Sequence, residues 1–290
     1  MNWREIIDKS AAFLAAKAVP EAAVAAELLA ARLLGVGRGL IVNSLDKAVG
    51  EKELEAMRRG LKRLVAGEPV QYVLGEWDFR SLTLKCDRRA LIPRPETEEL
   101  VSRALAYLKA ANRESGKTSR PFVLDLGTGT GAIILSLARE YPGEAIFLGT
   151  DISAEALELA QENAALNGLK ERVKFALADG LELFDEPECL DIIVSNPPYV
   201  TSAECKTLDK RVKDFEPLLA LDGGERGLDF YERYLTDAMN LLKPGGAVFF
   251  EIGESQGAAL KALMTDCGFS EIAIEKDFSG RDRYASARLL

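Results

Sequence analysis

Phe122-Val123-Leu124-Asp125-Leu126-Gly127-Thr128-Gly129-Thr130-Gly131-Ala132 is the stretch whose reading decides the fold. It opens with a short apolar run of strand length, passes through alternating glycines, and enters a helical apolar pattern near Gly131. Glycine lets a backbone turn tightly and approach a ligand closely, so a strand–glycine–helix passage reads as a binding loop. With Ala132 the stretch also satisfies the dinucleotide pattern G-x-G-x-x-A, so a nicotinamide cofactor has to be weighed. Two features point elsewhere. Asp125 sets a carboxylate before the glycines, which would repel a pyrophosphate and attract an ammonium group. The third glycine also comes one position early for the dinucleotide form.

Outward from this stretch, strands and helices alternate, the pattern of a parallel sheet covered on both faces. Strands are expected near 122–126, 145–150, 172–177, 190–195, 246–252, 270–275 and 283–289. Helices are expected near 131–140, 153–167, 229–242 and 255–267. Asp151 ends the second strand and would hold ribose hydroxyls. Asp179, followed by Gly180, comes after the third, where an adenine amino group could find an acceptor. Loop capping explains Asp125 or Asp151 alone but not the series.

The fourth strand, Leu190 to Ser195, stops at Asn196-Pro197-Pro198-Tyr199. Each proline fixes φ and removes an N–H, so this loop keeps its acceptors and loses donors. The Asn196 side-chain oxygen and the Pro197 carbonyl, beside an aromatic ring, would suit a planar group carrying an NH2. Asn-Pro is also a common turn starter, so an ordinary turn remains open from these residues alone.

Composition bounds the rest. Of 290 residues, 48% are apolar and 29% charged, which allows a real core and suggests two domains. No apolar window is long enough to span a membrane. The Ala-rich start carries Glu5, Asp8 and Lys17 and reads as a helix rather than a signal peptide. The four cysteines form no C-x-x-C pair and the chain has no histidine, which argues against structural zinc and histidine catalysis and fits a reducing cytosol. Residues 1–75 hold 11 Lys and Arg against 9 Asp and Glu; the whole chain is −9, so residues 76–290 carry −11. An acidic body argues against direct binding to nucleic-acid phosphates.

The first 68 residues read as helices: Trp3 to Ala18, Glu21 to Leu34 and about Glu51 to Ala66. The third runs from Glu51, Glu53 and Glu55 to Arg58, Arg59, Lys62 and Arg63, an order that complements the helix dipole. Its basic end is either a solvated face or a docking face for an acidic macromolecule. Residues 69–92 change to alternation, with Val70, Tyr72 and Leu74 and then Leu82 and Leu84, and read as a β-hairpin connector to a third segment, 93–290. Arg94, between two prolines, is presented in a restricted direction. Residues 112–120 read as a surface loop. Residues 200–228 read as a cover over the substrate, with Gly223, Gly224 and Gly227 as hinges.

A carboxylate, three glycines and two further acids at consecutive strand ends resemble the class I S-adenosylmethionine-dependent methyltransferases. That resemblance implies an α/β, Rossmann-like, seven-stranded sheet, with the cofactor held by Asp125, Gly127, Thr128, Gly129, Thr130, Gly131, Asp151, Asp179, Gly180 and Asn196. Asn196-Pro197-Pro198-Tyr199 resembles the motif of methyltransferases that act on planar NH2 nitrogens. More of the chain resembles one family, the release factor glutamine N5-methyltransferases (HemK/PrmC): Gly67 to Gly75, Leu91 to Glu98, Asp125 to Gly131, Asn196 to Tyr199, Glu216 to Leu221 and Glu251-Ile252-Gly253.

The family implies methylation of the glutamine in the Gly-Gly-Gln loop of class 1 peptide-chain release factors. It implies Asn196, Pro197, Pro198 and Tyr199 as catalytic and substrate-binding residues, with Arg94 on the substrate side. The N-terminal helical domain would grip the release factor. The expectation is a cytoplasmic monomer with a protein substrate and no nucleic-acid or membrane partner; the alternative is an N-methyltransferase for an exocyclic amino group of a DNA or RNA base. Two departures stand out. Arg80-Ser81 replace an aromatic and Gly after Phe79, and Gly180 replaces an aromatic that often covers adenine, leaving Leu181 or Phe184 to complete that pocket.

Overall fold

The structure, a computed structural model, describes residues 1–115 and 120–290; of the loop expected at 112–120, residues 116–119 lie outside the described residues and 112–115 are helical. Two compact units are present: Met1–Glu76 with Asp209–Phe215, and Trp77–Leu208 with Glu216–Leu290.

The first unit holds α1 (Trp3–Ala16), α2 (Ala22–Leu34), a 3-10 turn at Arg38–Ser44, α3 (Glu51–Val65) and α4 (Val70–Leu74). The Asn2 side chain caps α1 by accepting from the Glu5 N–H at 3.0 Å. Gly35, at φ 65, ends α2 in the left-handed conformation that glycine adopts without strain. Trp3, Ile6, Leu14, Ala26, Leu29 and Met57 form its core.

The stretch expected as strand, Val70 to Leu74, is helical. Tyr72 and Val73 are adjacent and both buried, which a helical turn allows and a strand with one solvent-facing side does not. Pro69 precedes the turn and Gly75, at φ 75, closes it. The Arg63 guanidinium donates to the Tyr72 carbonyl at 2.9 Å and the Val73 carbonyl at 3.2 Å, and pairs with Glu68. Arg63 therefore serves the fold inside this unit, while Arg58 and Arg59 make only long, exposed pairs with Glu51 and Glu55 at 3.9 and 4.0 Å.

In the second unit, β1 (Glu76–Phe79, whose first residue belongs to the first unit) pairs with β2 (Leu82–Lys85). Arg80 turns this hairpin at φ 51, a costly conformation for a side-chain-bearing residue. Its guanidinium offsets that cost through Glu140 at 2.7 and 2.6 Å, the Glu98 carbonyl at 2.6 Å and Ser102 Oγ at 2.7 Å.

Next come α5 (Pro95–Ser115), β3 (Phe122–Leu126), α6 (Ala132–Glu140), β4 (Ile146–Asp151), α7 (Ala154–Leu166), β5 (Val173–Leu177) and β6 (Leu190–Ser195). After α8 (Ser202–Cys205), α9 (Lys210–Lys213, in the first unit) and a 3-10 turn at Leu218–Ala220 follow α10 (Asp229–Leu241), β7 (Leu242–Glu251), α11 (Gly257–Asp266), β8 (Ser270–Lys276) and β9 (Asp282–Arg288).

The seven-stranded sheet runs β5-β4-β3-β6-β7-β9-β8, parallel except for β9, which is antiparallel to both neighbours. The central strands β3 and β6 are apolar almost throughout because both faces are covered. Along β6, Ile192 and Val194 enter one core with α5 and α6, while Leu190 and Ile193 enter the other with α10 and α11. Strand order reverses between β3 and β6, where Leu126 pairs with Ser195. The glycine loop and Asn196 therefore leave the sheet side by side at its carboxyl edge, where open α/β sheets bind ligands. No helix among the described residues is long and apolar enough to cross a membrane.

Candidate active site

A cavity of about 390 Å³ opens at that edge, a size suited to a small-molecule ligand. Its floor is the glycine loop. Gly127, Gly129 and Gly131 take φ of 66, 57 and 81, values closed to most side chains. A Cβ added at Gly127 would meet nothing within 4 Å and would project into free space.

Asp125 sits beneath the loop rather than in the cavity wall. It is fully buried, with Oδ2 accepting from Thr128 Oγ1 at 2.7 Å and from the Ile134 N–H at 3.3 Å. Its Oδ1 has no partner among the described residues. Burial pushes this carboxyl up to about 7 against the pull of those hydrogen bonds. Thr128, itself buried, also ties the loop to β4 through its N–H and the Thr150 carbonyl at 2.8 Å. Asp151 does line the cavity, and accepts from the Gly129 N–H and the Ser153 N–H, each at 2.9 Å. Burial raises its pKa too.

Asp179 and Gly180 line the same cavity, but the residues expected beside them do not. Leu181 is buried in the core and Phe184 packs edge-on against Phe122, 5.8 Å between centroids. The wall is instead supplied by Phe230, Arg233 and Tyr234 of α10. The Arg233 guanidinium donates to Asp179 Oδ1 at 2.6 Å, the Asp179 carbonyl at 2.7 Å and Glu182 Oε1 at 3.1 Å. A Cβ at Gly180 would lie 3.1 Å from Arg233 Nη2 and 3.3 Å from Tyr234 Cε1. The space of the missing aromatic is filled from another helix.

Of Asn196-Pro197-Pro198-Tyr199, Asn196 and Pro198 line the cavity. Pro197 is buried, and Tyr199 packs its ring on the core behind the loop, so the tyrosine fastens the loop instead of facing a ligand. Asn196 Nδ2 donates to Thr97 Oγ1 at 3.2 Å, and its Oδ1 takes no hydrogen bond from the described residues. Thr97 Oγ1 donates in turn to Glu251 Oε2 at 2.6 Å. Tyr199 reaches Glu251 Oε1 at 3.5 Å, and the Tyr231 hydroxyl donates to the Glu251 carbonyl at 2.7 Å.

Gly223 and Gly227 are packing positions, not hinges. A Cβ at Gly223 would come within 2.6 Å of the Pro198 carbonyl, so residues 221–227 can lie directly on the proline loop. The Val200 N–H donates to the Leu221 carbonyl at 3.0 Å, the Gly223 N–H to the Val200 carbonyl at 2.8 Å, and Gln256 Nε2 to the carbonyls of Tyr199 and Gly227 at 3.1 and 2.9 Å. Arg94 lines the cavity with its guanidinium paired to buried Glu216 at 2.6 Å, whose other oxygen accepts from the Ile92 N–H. Pro217, Leu219 and Ala220 also line the cavity, so part of the expected cover does reach the ligand space.

The sequence singled out Gly127, Gly129, Gly180, Asp151, Asp179, Asn196 and Arg94, which line this cavity, Asp125, which lies under the glycine loop, and Gly131, which packs against Leu135 and Ala160 instead. It missed the roles of Thr97, Glu251, Arg233 and Gln256. Thr97 and Glu251 lay inside stretches already marked by family resemblance, whereas nothing local marked Arg233. Among the described residues no cluster of acids and cysteines could hold a metal ion.

The donor set fits S-adenosylmethionine. The open glycine cradle accepts a ligand's backbone-like tail, and Asp151 and Asp179 offer acceptors to ribose and to an amino-purine. Residues 117–277 match the model described as a methyltransferase domain, and residues 5–75 match the PrmC N-terminal domain. The chain is 36% identical over 282 residues to a release factor glutamine methyltransferase of Chlorobaculum tepidum, covering 96% of this chain and 94% of that one. A Bacillus subtilis protein of the same name is 40% identical over 261 residues, covering 89% and 88%. The catalytic domain of human hMettl16, solved with an RNA hairpin, shares the fold at TM-score 0.57 and 19% identity over 78% of this chain and 81% of that one. Full-length similarity of this kind, on a cavity built for a methyl donor with an asparagine at its far wall, places the chain in the release factor glutamine methyltransferase family.

Proposed function

We propose that this protein transfers a methyl group from S-adenosyl-L-methionine to the side-chain amide nitrogen (N5) of the glutamine in the Gly-Gly-Gln loop of class 1 release factors. The observation that carries this reading is Asn196, whose Oδ1 is unengaged at the cavity wall while its Nδ2 is held by Thr97. The cofactor supplies an electrophilic methyl group carried on a sulfonium. An amide nitrogen is a poor nucleophile because its lone pair is delocalised into the carbonyl. Asn196 Oδ1 accepts an N–H bond of the substrate amide. It thereby aims the nitrogen along the transfer line and offsets the positive charge it develops. No strong base is required, since the proton can leave after transfer. Arg94, fixed to Glu216, shapes the substrate side of the cavity.

Incubation with tritiated S-adenosylmethionine and either a class 1 release factor or nucleic acid tests the reading. Label is expected in the release factor; label in nucleic acid alone would overturn it and favour a base amino group as acceptor. A release factor carrying Gly-Gly-Asn should stay unlabelled, because the shorter side chain does not reach the methyl group. Four unpaired cysteines support a reducing cytosol as the place of action, and a monomer is expected by light scattering.

A further inference from the structure

Thr97, at the start of α5, lines the cavity and meets Asn196, and Glu251, at the end of β7, stands behind Thr97. An asparagine amide can sit in its pocket in two orientations half a turn apart, with donor and acceptor exchanged. Only one presents Oδ1 to an incoming N–H. Thr97 has a single hydroxyl proton, and at 2.6 Å from a carboxylate oxygen that proton belongs to the Glu251 bond. The Thr97 oxygen can then only accept, so it faces Nδ2 and turns Oδ1 toward the cavity.

Resting on the amide-acceptor reading of Asn196, we propose that Thr97 and Glu251 are positioning residues that choose which way the Asn196 amide faces, and that proton uptake by Glu251 releases that choice. A neutral Glu251 carries its own proton to donate to Thr97. The Thr97 hydroxyl is then free to donate to Asn196 Oδ1, and the amide turns over. Glu251 is faced by Glu96 and Thr97 from α5, Tyr199 from the loop after β6, Tyr231 from α10, and Arg283 and Tyr284 from β9. Burial dominates among these influences and pushes Glu251 up to about 7; Thr97, Arg283 and Tyr199 favour the carboxylate and Glu96 opposes it. The three tyrosines are held well on their neutral side by burial. Turnover should therefore fall as pH drops through about 7.

The test is steady-state methylation of a class 1 release factor from about pH 6 to about pH 8.5, with S-adenosylhomocysteine affinity measured by calorimetry. Thr97→Val should lower kcat by about 10²-fold while leaving that affinity within about twofold, because the error lies in aim and not in cofactor binding. Thr97→Ser should recover most of the loss. Glu251→Gln, whose amide does not titrate in this range, should lack the acid limb.

Thr97→Val turning over at the parent rate, or an acid limb that persists in Glu251→Gln, would overturn the inference. If Thr97→Val fails to fold, Thr97→Ser and Glu251→Gln decide it: a Glu251→Gln profile parallel to the parent's overturns it. A parent protein that leaves the release factor unlabelled overturns the proposed function, whereas a labelling parent with unaffected variants overturns only this positioning role.

Discussion

The cavity's two ends each rest on a fully buried carboxyl that burial pushes up to about 7, Asp125 under the glycine loop and Glu251 behind Asn196. Their partners differ in kind. Asp125 is held by Thr128 and Ile134, three and nine residues along the chain. Glu251 meets Thr97 and Tyr199, 154 and 52 residues away. The cofactor end is thus a local device that any strand–glycine–helix passage can carry. The acceptor end exists only where α5, β6 and β7 come together, and its chemistry is a matter of aim.

Breaking the acceptor end should have the largest effect. Asn196→Ala is expected to lower kcat by about 10²–10³, the usual cost of about 2.7–4 kcal/mol for losing a positioned group at a developing charge. Cofactor affinity should change far less, and calorimetry with S-adenosylhomocysteine measures the contrast. Breaking the cofactor end should reverse the pattern. Asp151→Ala removes the acceptor of the Gly129 and Ser153 N–H groups and should weaken S-adenosylhomocysteine binding by about 1.5–3 kcal/mol, with release-factor affinity unchanged.

A smaller change sharpens the same end. Arg233→Ala takes away the planar guanidinium beside Gly180 and should weaken cofactor binding by about 1 kcal/mol, the low end of stacking against a base. Equal affinity in this variant would show that Arg233 serves only to hold Asp179.

A separate effect falls on stability. A carboxyl whose native pKa lies above its unfolded value binds its proton more tightly when folded. The stability it contributes is fully present below about pH 4 and is lost as pH rises through about 7. Thermal melts of the parent should therefore show Asp125 and Glu251 favouring the fold at the acid side of that window, the opposite direction to turnover. Glu251→Gln should flatten the slope of melting temperature against pH; an unchanged slope would mean that Glu251 keeps an ordinary pKa.

The strands of the sheet were legible because both faces are covered, so that Leu190 to Ser195 or Phe122 to Leu126 are apolar almost throughout and leave little choice of element. Val70 to Leu74 was misread as a strand because five residues carry too few repeats to separate a period of 2 from 3.6. Its helical turn depends on Arg63, outside the window, which takes up the Tyr72 and Val73 carbonyls. The same limit hid the adenine-side wall. Gly180 announced that a ring was missing, yet only the packing of α10 says that Arg233 and Tyr234 stand in that space.

By itself, the sequence determined the alternation of strands and helices in the seven-stranded unit, the glycine loop with its acids, and the rigid proline loop at Asn196. Each of these is written in residues adjacent along the chain, through periodicity, glycine's freedom and proline's lack of a donor. Tertiary structure alone decided that Asp125 is buried beneath the cofactor loop, that Tyr199 turns inward, and that Thr97, itself bonded to Glu251, meets the Asn196 amide. Those outcomes depend on which side chains share a dry space, and hydrogen bonds between distant segments leave no spacing in a sequence to read.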